Sequence, residues 1–235
     1  MTKAAKAVPI RVVHAVGWYL PDSMGGTERY VAGLCAALRK HSIESVVVVP
    51  SDANSTGEVD GVRVHRYAVE PRPSRQEVRQ QASGVVEFGA LLRSLDAGIY
   101  HQHSVTRGLH LEHLRSARAA GMRTMHTMHT ATPICLRETL MLNGAIECDG
   151  EIRVGRCSRC WLASRERAAA WSYVPALAGE LALAAFPESR ISTALSTRTA
   201  VSRHRQALIE LLGGADITIV PSRWQSSMLA RNGSG

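Results

Sequence analysis

Four cysteines lie within one segment of the 235-residue chain and are natural ligands for a soft metal ion. They are Cys135, Cys148, Cys157 and Cys160, and the last two form a C-x-x-C pair. Four thiolates on a turn-rich segment can close around tetrahedral zinc. Because the spacing contains a single close pair, disulfides, free thiols or an iron–sulfur cluster remain alternatives. Three arginines of the segment would offset a tetrathiolate charge: Arg153, Arg156 and Arg159.

A glycine pair stands where a predicted strand and its loop lead into a predicted helix. Gly25, Gly26 and Thr27 leave backbone amides accessible at the helix N-terminus, where the helix dipole favours an anion. They are therefore candidates for binding a diphosphate, and the alternative is a plain turn with a Thr cap. The dinucleotide fingerprint G-x-G-x-x-G is missing, which argues against a nicotinamide-dependent enzyme.

Histidines cluster at the ends of two predicted strands. His101 and His103 are two residues apart and share one strand face. We expect His103 to line a cleft and His101 to support it, with ordinary packing as the alternative. His129 ends a later strand, on the side where parallel strands meet their ligands.

The elements that must position these residues alternate between strand and helix, which predicts a doubly wound, mostly parallel, Rossmann-like α/β sheet. A hairpin is predicted around Asp60 and Gly61. We interpret residues 1–235 as one such domain, with a Cys-containing, loop-like insertion at about 133–160. The predicted strands are 11–16, 45–49, 99–103, 123–129, 193–201 and 216–220. The predicted helices are 27–40, 75–95, 109–120, 162–185, 204–212 and 222–231.

Four segments together resemble the N-terminal domain of family 4 glycosyltransferases of the GT-B type. They are RVVHAV followed by GGTERYVAGLCAALRKH, then IYHQHS, TMHTATPICLR and ADITIVPSRWQSSMLARNG. Their order and spacing match the family over nearly the whole chain. The resemblance implies transfer of a sugar from a nucleotide-diphosphate sugar to a glycan, lipid-linked or small-molecule acceptor. The anomeric configuration would be retained, and no metal would be needed for catalysis.

The resemblance also implies roles for particular residues. His129 would be the catalytic-site histidine that contacts the donor sugar hydroxyls, and the diphosphate would meet Gly25, Gly26 and Thr27. Many family members carry an acidic residue directly after that histidine, whereas this chain has Thr130. The acceptor side would be shaped by four residues: Tyr19, His103, Arg137 and Arg203.

The family's donor-binding, C-terminal domain would lie beyond Gly235. Glu180 and Glu188 have the spacing of that domain's paired glutamates, but the apolar residues between them favour a helix instead. We therefore expect this chain alone to be inactive, and the hexosyl or glycosyl transfer to belong to a longer protein or to a two-chain enzyme. The alternative is a truncated, inactive relative of the family.

Net charge +8 and a pI of about 9.7 favour anionic partners, although a solvated basic face would have the same composition. No secretory signal and no run of membrane-spanning length appear, so we expect a cytoplasmic protein, with the stretch 161–186 able to touch a membrane surface. The alternative function is a non-catalytic Rossmann-like binding module with a structural zinc loop. Nucleic acid is the less favoured partner.

Overall fold

The computed structural model describes residues 10–70, 84–106, 108–163, 181, 185 and 196–233. The chain divides into two compact units. Unit 1 comprises Met1–Pro71 and Ser83–Thr127, and unit 2 comprises Arg72–Ala82 and Met128–Gly235. The prediction of a single domain over 1–235 stays a prediction.

The described residues of unit 1 form six strands and three helices. The strands are β1 (Arg11–Ala15), β2 (Glu44–Ser51), β3 (Ser55–Val59), β4 (Val62–Ala68), β5 (Ile99–Gln102) and β6 (Arg123–Thr127). The helices are α1 (Gly26–Arg39), α2 (Val85–Ser94) and α3 (Leu111–Ala119). These bounds confirm the predicted order of elements in this half of the chain.

The strands of unit 1 lie in the order β3-β4-β2-β1-β5-β6. All neighbours are parallel except β3, which pairs antiparallel with β4 through the predicted turn at Asp60 and Gly61. The chain leaves β1 for β2 on one side and later returns to β5 on the other side. Because parallel crossovers are right-handed, this reversal places α1 on one face and α2 and α3 on the other. The sheet is therefore mostly parallel and doubly wound, as predicted.

Two apolar layers cover the sheet of unit 1. On the α1 side, Val31 and Cys35 of the helix join a buried cluster that includes Val47 and Tyr19. On the other side, the rings of Tyr67, Phe88, Tyr100 and His113 lie 4.8 to 5.8 Å apart from centre to centre. Valines supply the buried centre of β2 and most of that of β1, which suits a sheet that is buried on both faces.

The described residues of unit 2 form several regular elements. They are the two-stranded hairpin of β7 (Met141–Leu142) and β8 (Ile146–Glu147), the helix α4 (Val154–Ala163), the helix α5 (Thr197–Gly214), the strand β9 (Ile217–Ile219) and the helix α6 (Arg223–Arg231). Its core combines Met128, Ile152, Val201 and Met228 with several neighbours. Loop residues thus supply as much of this core as the helices do.

Three sequence-based expectations need correction or fall outside the described residues. The predicted strand 193–201 is wrong, because Thr197 begins α5. Val201, Leu208 and Leu211 are buried at helical spacing, and their burial outweighs the strand preference of the β-branched residues nearby. The C-x-x-C pair was expected in a loop but lies in α4. The predicted helices 75–95 and 162–185 fall partly outside the described residues.

Candidate functional site

The point at which the strand order of unit 1 reverses lies between β1 and β5. In open α/β sheets, ligands bind beyond the carboxyl ends of the strands at such a reversal. The loops that follow the two strands pack closely here, since a Cβ added at Gly17 would lie 2.7 Å from the Thr106 side chain. The fold therefore marks this place as the first candidate site of unit 1.

Three buried histidines occupy the α1 face of the sheet at this reversal. His14 of β1 pairs in register with His101 of β5, and His103 follows one residue after β5 ends. The three side chains are 0%, 3% and 1% exposed, respectively. One ring nitrogen from each lies within 4.8 Å of the others, so the group could hold a metal ion.

Hydrogen bonds and ring contacts hold the three histidines together. Nδ1 of His14 lies 3.1 Å from Nε2 of His103, and Nε2 of His101 lies 2.7 Å from Oγ1 of Thr127. The rings of His101 and His103 are centred 3.8 Å apart, and Tyr30 of α1 lies 5.9 Å from the His103 ring. Burial lowers the pKa of His14 to about 4, so its imidazole is neutral at pH 7.

The N-terminus of α1 carries the predicted diphosphate residues. Gly25 is the N-cap and forms no side-chain capping bond, and the space beside Gly26 is open. Glu28 is buried, accepts a hydrogen bond from Ser23 at 3.0 Å, and folds back so that a Cβ at Gly25 would lie 2.5 Å from its carboxylate. A diphosphate at these amides would therefore have to displace a carboxylate, or share the helix terminus with it.

His129 belongs to unit 2 and follows β6 by two residues. Its side chain is half-buried, and burial lowers its pKa. The neutral imidazole offers one donor and one acceptor, as a sugar hydroxyl requires. Thr130, at the position of the family's acidic residue, is exposed, and its hydroxyl bonds to that of Thr132 at 3.1 Å.

The four residues expected on the acceptor side have different surroundings. Tyr19 is 2% exposed within the core of unit 1, where burial raises its pKa to about 12, and His103 is equally buried. Arg137 is partly exposed in unit 2 and donates to Sγ of Cys160 at 3.4 Å. Arg203 is exposed on α5. Only the two arginines present their side chains to solvent, and the acceptor roles of all four stay predictions.

The four clustered cysteines line one small cavity of unit 2, with a volume of about 30 Å³. One water needs ~10–15 Å³ measured in the same way, so the cavity can hold a guest the size of an ion. All four are free thiols, and Cys157 and Cys160 stand one turn apart on α4. Among the described residues, the group of side chains placed to hold a metal ion is a histidine trio in unit 1, and the four sulfurs form no such group. Zinc binding by these cysteines stays a prediction.

Ion pairs and a histidine surround this cavity. Arg156 donates to both carboxylate oxygens of Asp149, and this bond lowers the carboxyl pKa to about 2. Arg153 pairs with Glu151, so these two arginines are engaged by carboxylates and not by the thiols alone. His204 of α5 also lines the cavity, and its Nε2 is buried without a hydrogen-bond partner in the described part of the chain.

Sequence reasoning missed two of these histidines. His14 was read only as a strand residue, and its partnership with His101 depends on the pairing of β1 with β5, which a single sequence does not show. The signal was a third histidine on an otherwise apolar strand. The predicted helix 204–212 begins at His204, and no role is predicted for this histidine from the sequence.

Comparison with known proteins decides the family. The family model described as Glycosyltransferase Family 4 matches residues 24–234. The chain belongs to glycosyltransferase family 4. The match begins just before the glycines of α1 and includes both units, so the resemblance drawn from the four sequence segments is confirmed.

The similarity of this family 4 domain to solved structures is remote in sequence. The catalytic domain of starch synthase IV from Arabidopsis thaliana, bound to ADP and acarbose, is 17% identical with a TM-score of 0.39, and the match covers 53% of this chain and 35% of that one. A protein from Listeria monocytogenes described as a UDP-N-acetylglucosamine 2-epimerase is 13% identical with a TM-score of 0.45, covering 97% and 43%. The chain thus spans less than half the length of either.

Two further comparisons gave negative results. The search of curated proteins returned no match. Among the described residues, no helix has both the length and the apolar character needed to cross a bilayer.

Proposed function

We propose that this family 4 domain is the acceptor-side part of an enzyme that transfers a sugar from a nucleotide-diphosphate sugar to an acceptor, with retention of the anomeric configuration. The observation that carries the proposal is the family match from residue 24 to residue 234. The acceptor would be a glycan, a lipid-linked glycan or a small molecule. The enzyme would work in the cytoplasm, where its basic charge would allow contact with an anionic membrane surface.

On the donor side, we assign the diphosphate to the amides of Gly25, Gly26 and Thr27 at the start of α1. Open space beside Gly26 and the absence of a side-chain cap support this assignment. The Glu28 carboxylate occupies the neighbourhood in the ligand-free chain. Two anions at one helix terminus repel each other, so donor binding would move this carboxylate.

His129 is assigned to the donor sugar. Its lowered pKa keeps the ring neutral at physiological pH, so it can donate to one hydroxyl and accept from another. Thr130 stands where many family members have an acidic residue. The sugar hydroxyls would therefore depend more on His129 for their contacts than they do in those members.

On the acceptor side, Arg137 and Arg203 are assigned to direct contacts, because their side chains reach solvent. Tyr19 and His103 are buried, so any role of theirs toward the acceptor would be indirect. Arginine pairs well with phosphate groups, which favours an acceptor that carries one, such as a lipid-linked glycan.

The proposed reaction has the acceptor hydroxyl attack the face from which the diphosphate departs. The protein would supply positioning and charge stabilisation, without a covalent nucleophile and without a catalytic metal. A second, donor-binding domain would hold most of the nucleotide. We therefore expect transfer only when that domain is supplied, either in a longer polypeptide or by a partner.

The test compares two histidine variants in the polypeptide that carries the donor-binding domain. His129→Ala should lower kcat by about 10²-fold, the usual scale for a lost polar contact to the reacting group. His41→Ala, at an exposed histidine after α1, is the matched control and should leave kcat unchanged. Equal activity of both variants would remove His129 from the site. No transfer by the unsubstituted enzyme with any nucleotide sugar would favour the binding-module alternative.

We also propose structural zinc at the cysteine cavity, held by Cys135, Cys148, Cys157 and Cys160. Their shared cavity supports this, and His204 could replace one thiolate as a ligand. The sulfurs would have to move together on binding. Cobalt substitution should give the thiolate charge-transfer absorption of about one ion per chain, and bound zinc should protect the thiols from alkylation. Freely titrating thiols without that absorption would end this proposal.

A further inference from the structure

We propose that His14, His101 and His103 form a second, separate metal site that binds one divalent transition-metal ion, of the zinc class, through imidazole nitrogens alone. The site lies in unit 1, at the reversal of the strand order between β1 and β5. It requires neither the cysteine cavity nor the proposed transfer reaction.

Strand pairing places His14 and His101, and the His103 amide, just beyond β5, continues the ladder by donating to the Ala15 carbonyl at 2.8 Å. His14 and His101 are directly opposite each other in the parallel register, and His103 is two residues further along the same face. A tetrahedral zinc ion with nitrogens at 2.0–2.1 Å separates them from each other by roughly 3.4 Å. The nitrogens of His14 and His103 are already 3.1 Å apart, and all three lie within 4.8 Å. Small ring rotations would therefore suffice for coordination.

The donor set selects the class of ion. Imidazole nitrogen suits zinc, copper, nickel and iron, whereas magnesium and calcium require oxygen ligands. The group consists of three histidines, and no carboxylate or thiol belongs to it in the described part of the chain. The three positions leave a fourth for water, as in zinc sites with three protein ligands.

Hydrogen bonding within the ligand-free cluster is incomplete. Nδ1 of His14 shares a hydrogen bond with His103, but its Nε2 is buried and has no hydrogen-bond partner among the residues described. A buried unsatisfied nitrogen is costly and commonly marks a water or ion. With Nδ1 bound to the ion, the ring would carry its proton on Nε2, and a buried water is the partner that this N–H would need.

Neighbouring side chains orient the ligands in the manner of an outer coordination layer. The Thr127 hydroxyl bonds to Nε2 of His101 at 2.7 Å, which fixes the rotation of that ring. Tyr30 covers the His103 ring from α1. Thr127 is itself buried, so β6 also contributes to holding the cluster.

A metal in this position would hold β1 against β5 at their carboxyl ends. The loops after these strands begin at Val16 and His103, and they pack closely where Gly17 meets Thr106. The ion would thus act as a positioning element for the loops of the crevice, and it would take part in no bond-making step. Because the ligands are almost fully buried, we expect slow exchange in the folded chain and loading during folding.

The experiment refolds the chain with Co²⁺ or Zn²⁺ and follows bound metal by elemental analysis and absorption. The expected result is one equivalent with the ligand-field bands of cobalt bound by nitrogen, additional to any thiolate-bound ion. His103→Gln should lose that equivalent. His113→Gln replaces a histidine that is equally buried on α3, outside the cluster, and should retain it.

Metal-dependent stability gives a second readout. Zn²⁺ should raise the Tm of the unsubstituted chain and of His113→Gln by several degrees, and that of His103→Gln by less. If His103→Gln does not fold, X-ray absorption at the zinc edge of the unsubstituted chain decides. Nitrogen scatterers of the imidazole type support the proposal. Sulfur scatterers alone, no bound metal, or equal uptake by both variants would overturn it, while leaving the proposed sugar transfer untouched.

Discussion

The histidine cluster of unit 1 and the cysteine cavity of unit 2 present metal-ligating groups by different structural means. In unit 1, His14 and His101 owe their proximity to strand register, and the strands are buried by apolar layers on both faces. In unit 2, Cys148 follows the hairpin and Cys135 lies in irregular backbone, while the other two cysteines lie on α4. Side-chain hydrogen bonds and ion pairs connect the surrounding turns. Periodic structure therefore positions the first group, and particular polar contacts position the second.

Backbone conformation shows the same difference. Between residues 138 and 150, Glu138, Leu140 and Asn143 have positive φ angles, as do Gly144 and Gly150. Non-glycine residues adopt this region at a cost, so the surrounding contacts must stabilise it. A Cβ at Gly150 would lie 2.7 Å from the Met228 side chain, which leaves no room for another residue there. The strands that carry the histidines of unit 1 contain no such residue.

This difference predicts that substitutions of polar side chains should destabilise the two regions to different degrees. A site on paired strands should tolerate loss of a single polar contact, because the backbone ladder remains. A site on turns should depend strongly on the few side chains that bind its backbone.

Asn232 is the sharpest test of this dependence in unit 2. Its side chain is 1% exposed, accepts from the Ile152 amide at 2.8 Å, and donates to the carbonyls of Gly150 and Met228 at 2.8 Å each. Asn232→Ala leaves these backbone groups buried without partners. We expect a loss of about 3 kcal/mol in the free energy of unfolding, measured by urea denaturation.

The matched control is Asn54→Ala in unit 1. Asn54 likewise accepts from a backbone amide, that of Ala68, at 2.8 Å, but it is exposed, so water can replace the bond. We expect a loss of about 0.5 kcal/mol. Equal losses for the two variants would contradict the view that unit 2 depends on buried side-chain contacts to its turns.

The same difference explains what could be predicted from the sequence. The alternation of strands and helices predicted the sheet of unit 1 and its hairpin at Asp60, because apolar periodicity reports burial directly. The residues themselves marked the glycines of α1 and the strand-end His129 as candidates, and the family resemblance assigned them the diphosphate and the donor sugar. The strand reversal that brings His14 to His101 is a long-range pairing, and no local pattern encodes it.

In unit 2 the local signals themselves were ambiguous. The residues Thr197, Thr199 and Val201 have β-branched side chains and favoured a strand, yet they lie in α5 because its apolar face packs into the core. The arginines near the cysteines were expected to balance thiolate charge, but Arg153 and Arg156 pair with Glu151 and Asp149. Side-chain pairing of this kind depends on tertiary positions that composition does not reveal.

Acid stability should also separate the two regions. In unit 1, burial lowers the pKa of His110 to about 4 and that of His113 to about 3, so both are neutral when folded. The unfolded chain binds their protons near pH 6.5. Their stabilising contribution is therefore complete above pH 6.5 and is lost as the pH falls toward 4 and then 3. Between pH 6.5 and pH 5, each of these two histidines should lower the free energy of unfolding by about 2 kcal/mol.

His113→Asn isolates this effect, since the amide can keep the bond from the His110 backbone, seen at 3.2 Å, but cannot bind a proton. The variant should show a shallower fall in unfolding free energy between pH 7 and pH 5, by about 2 kcal/mol.

Asp149→Asn in unit 2 is the contrasting change. Because Arg156 holds the pKa of Asp149 at about 2, its contribution is lost only as the pH falls below about 4. Above pH 5, the unfolding free energy of Asp149→Asn should therefore change with pH as it does in the wild type. If Asp149→Asn flattened this pH dependence and His113→Asn did not, the buried histidines of unit 1 would not be its acid-sensitive groups.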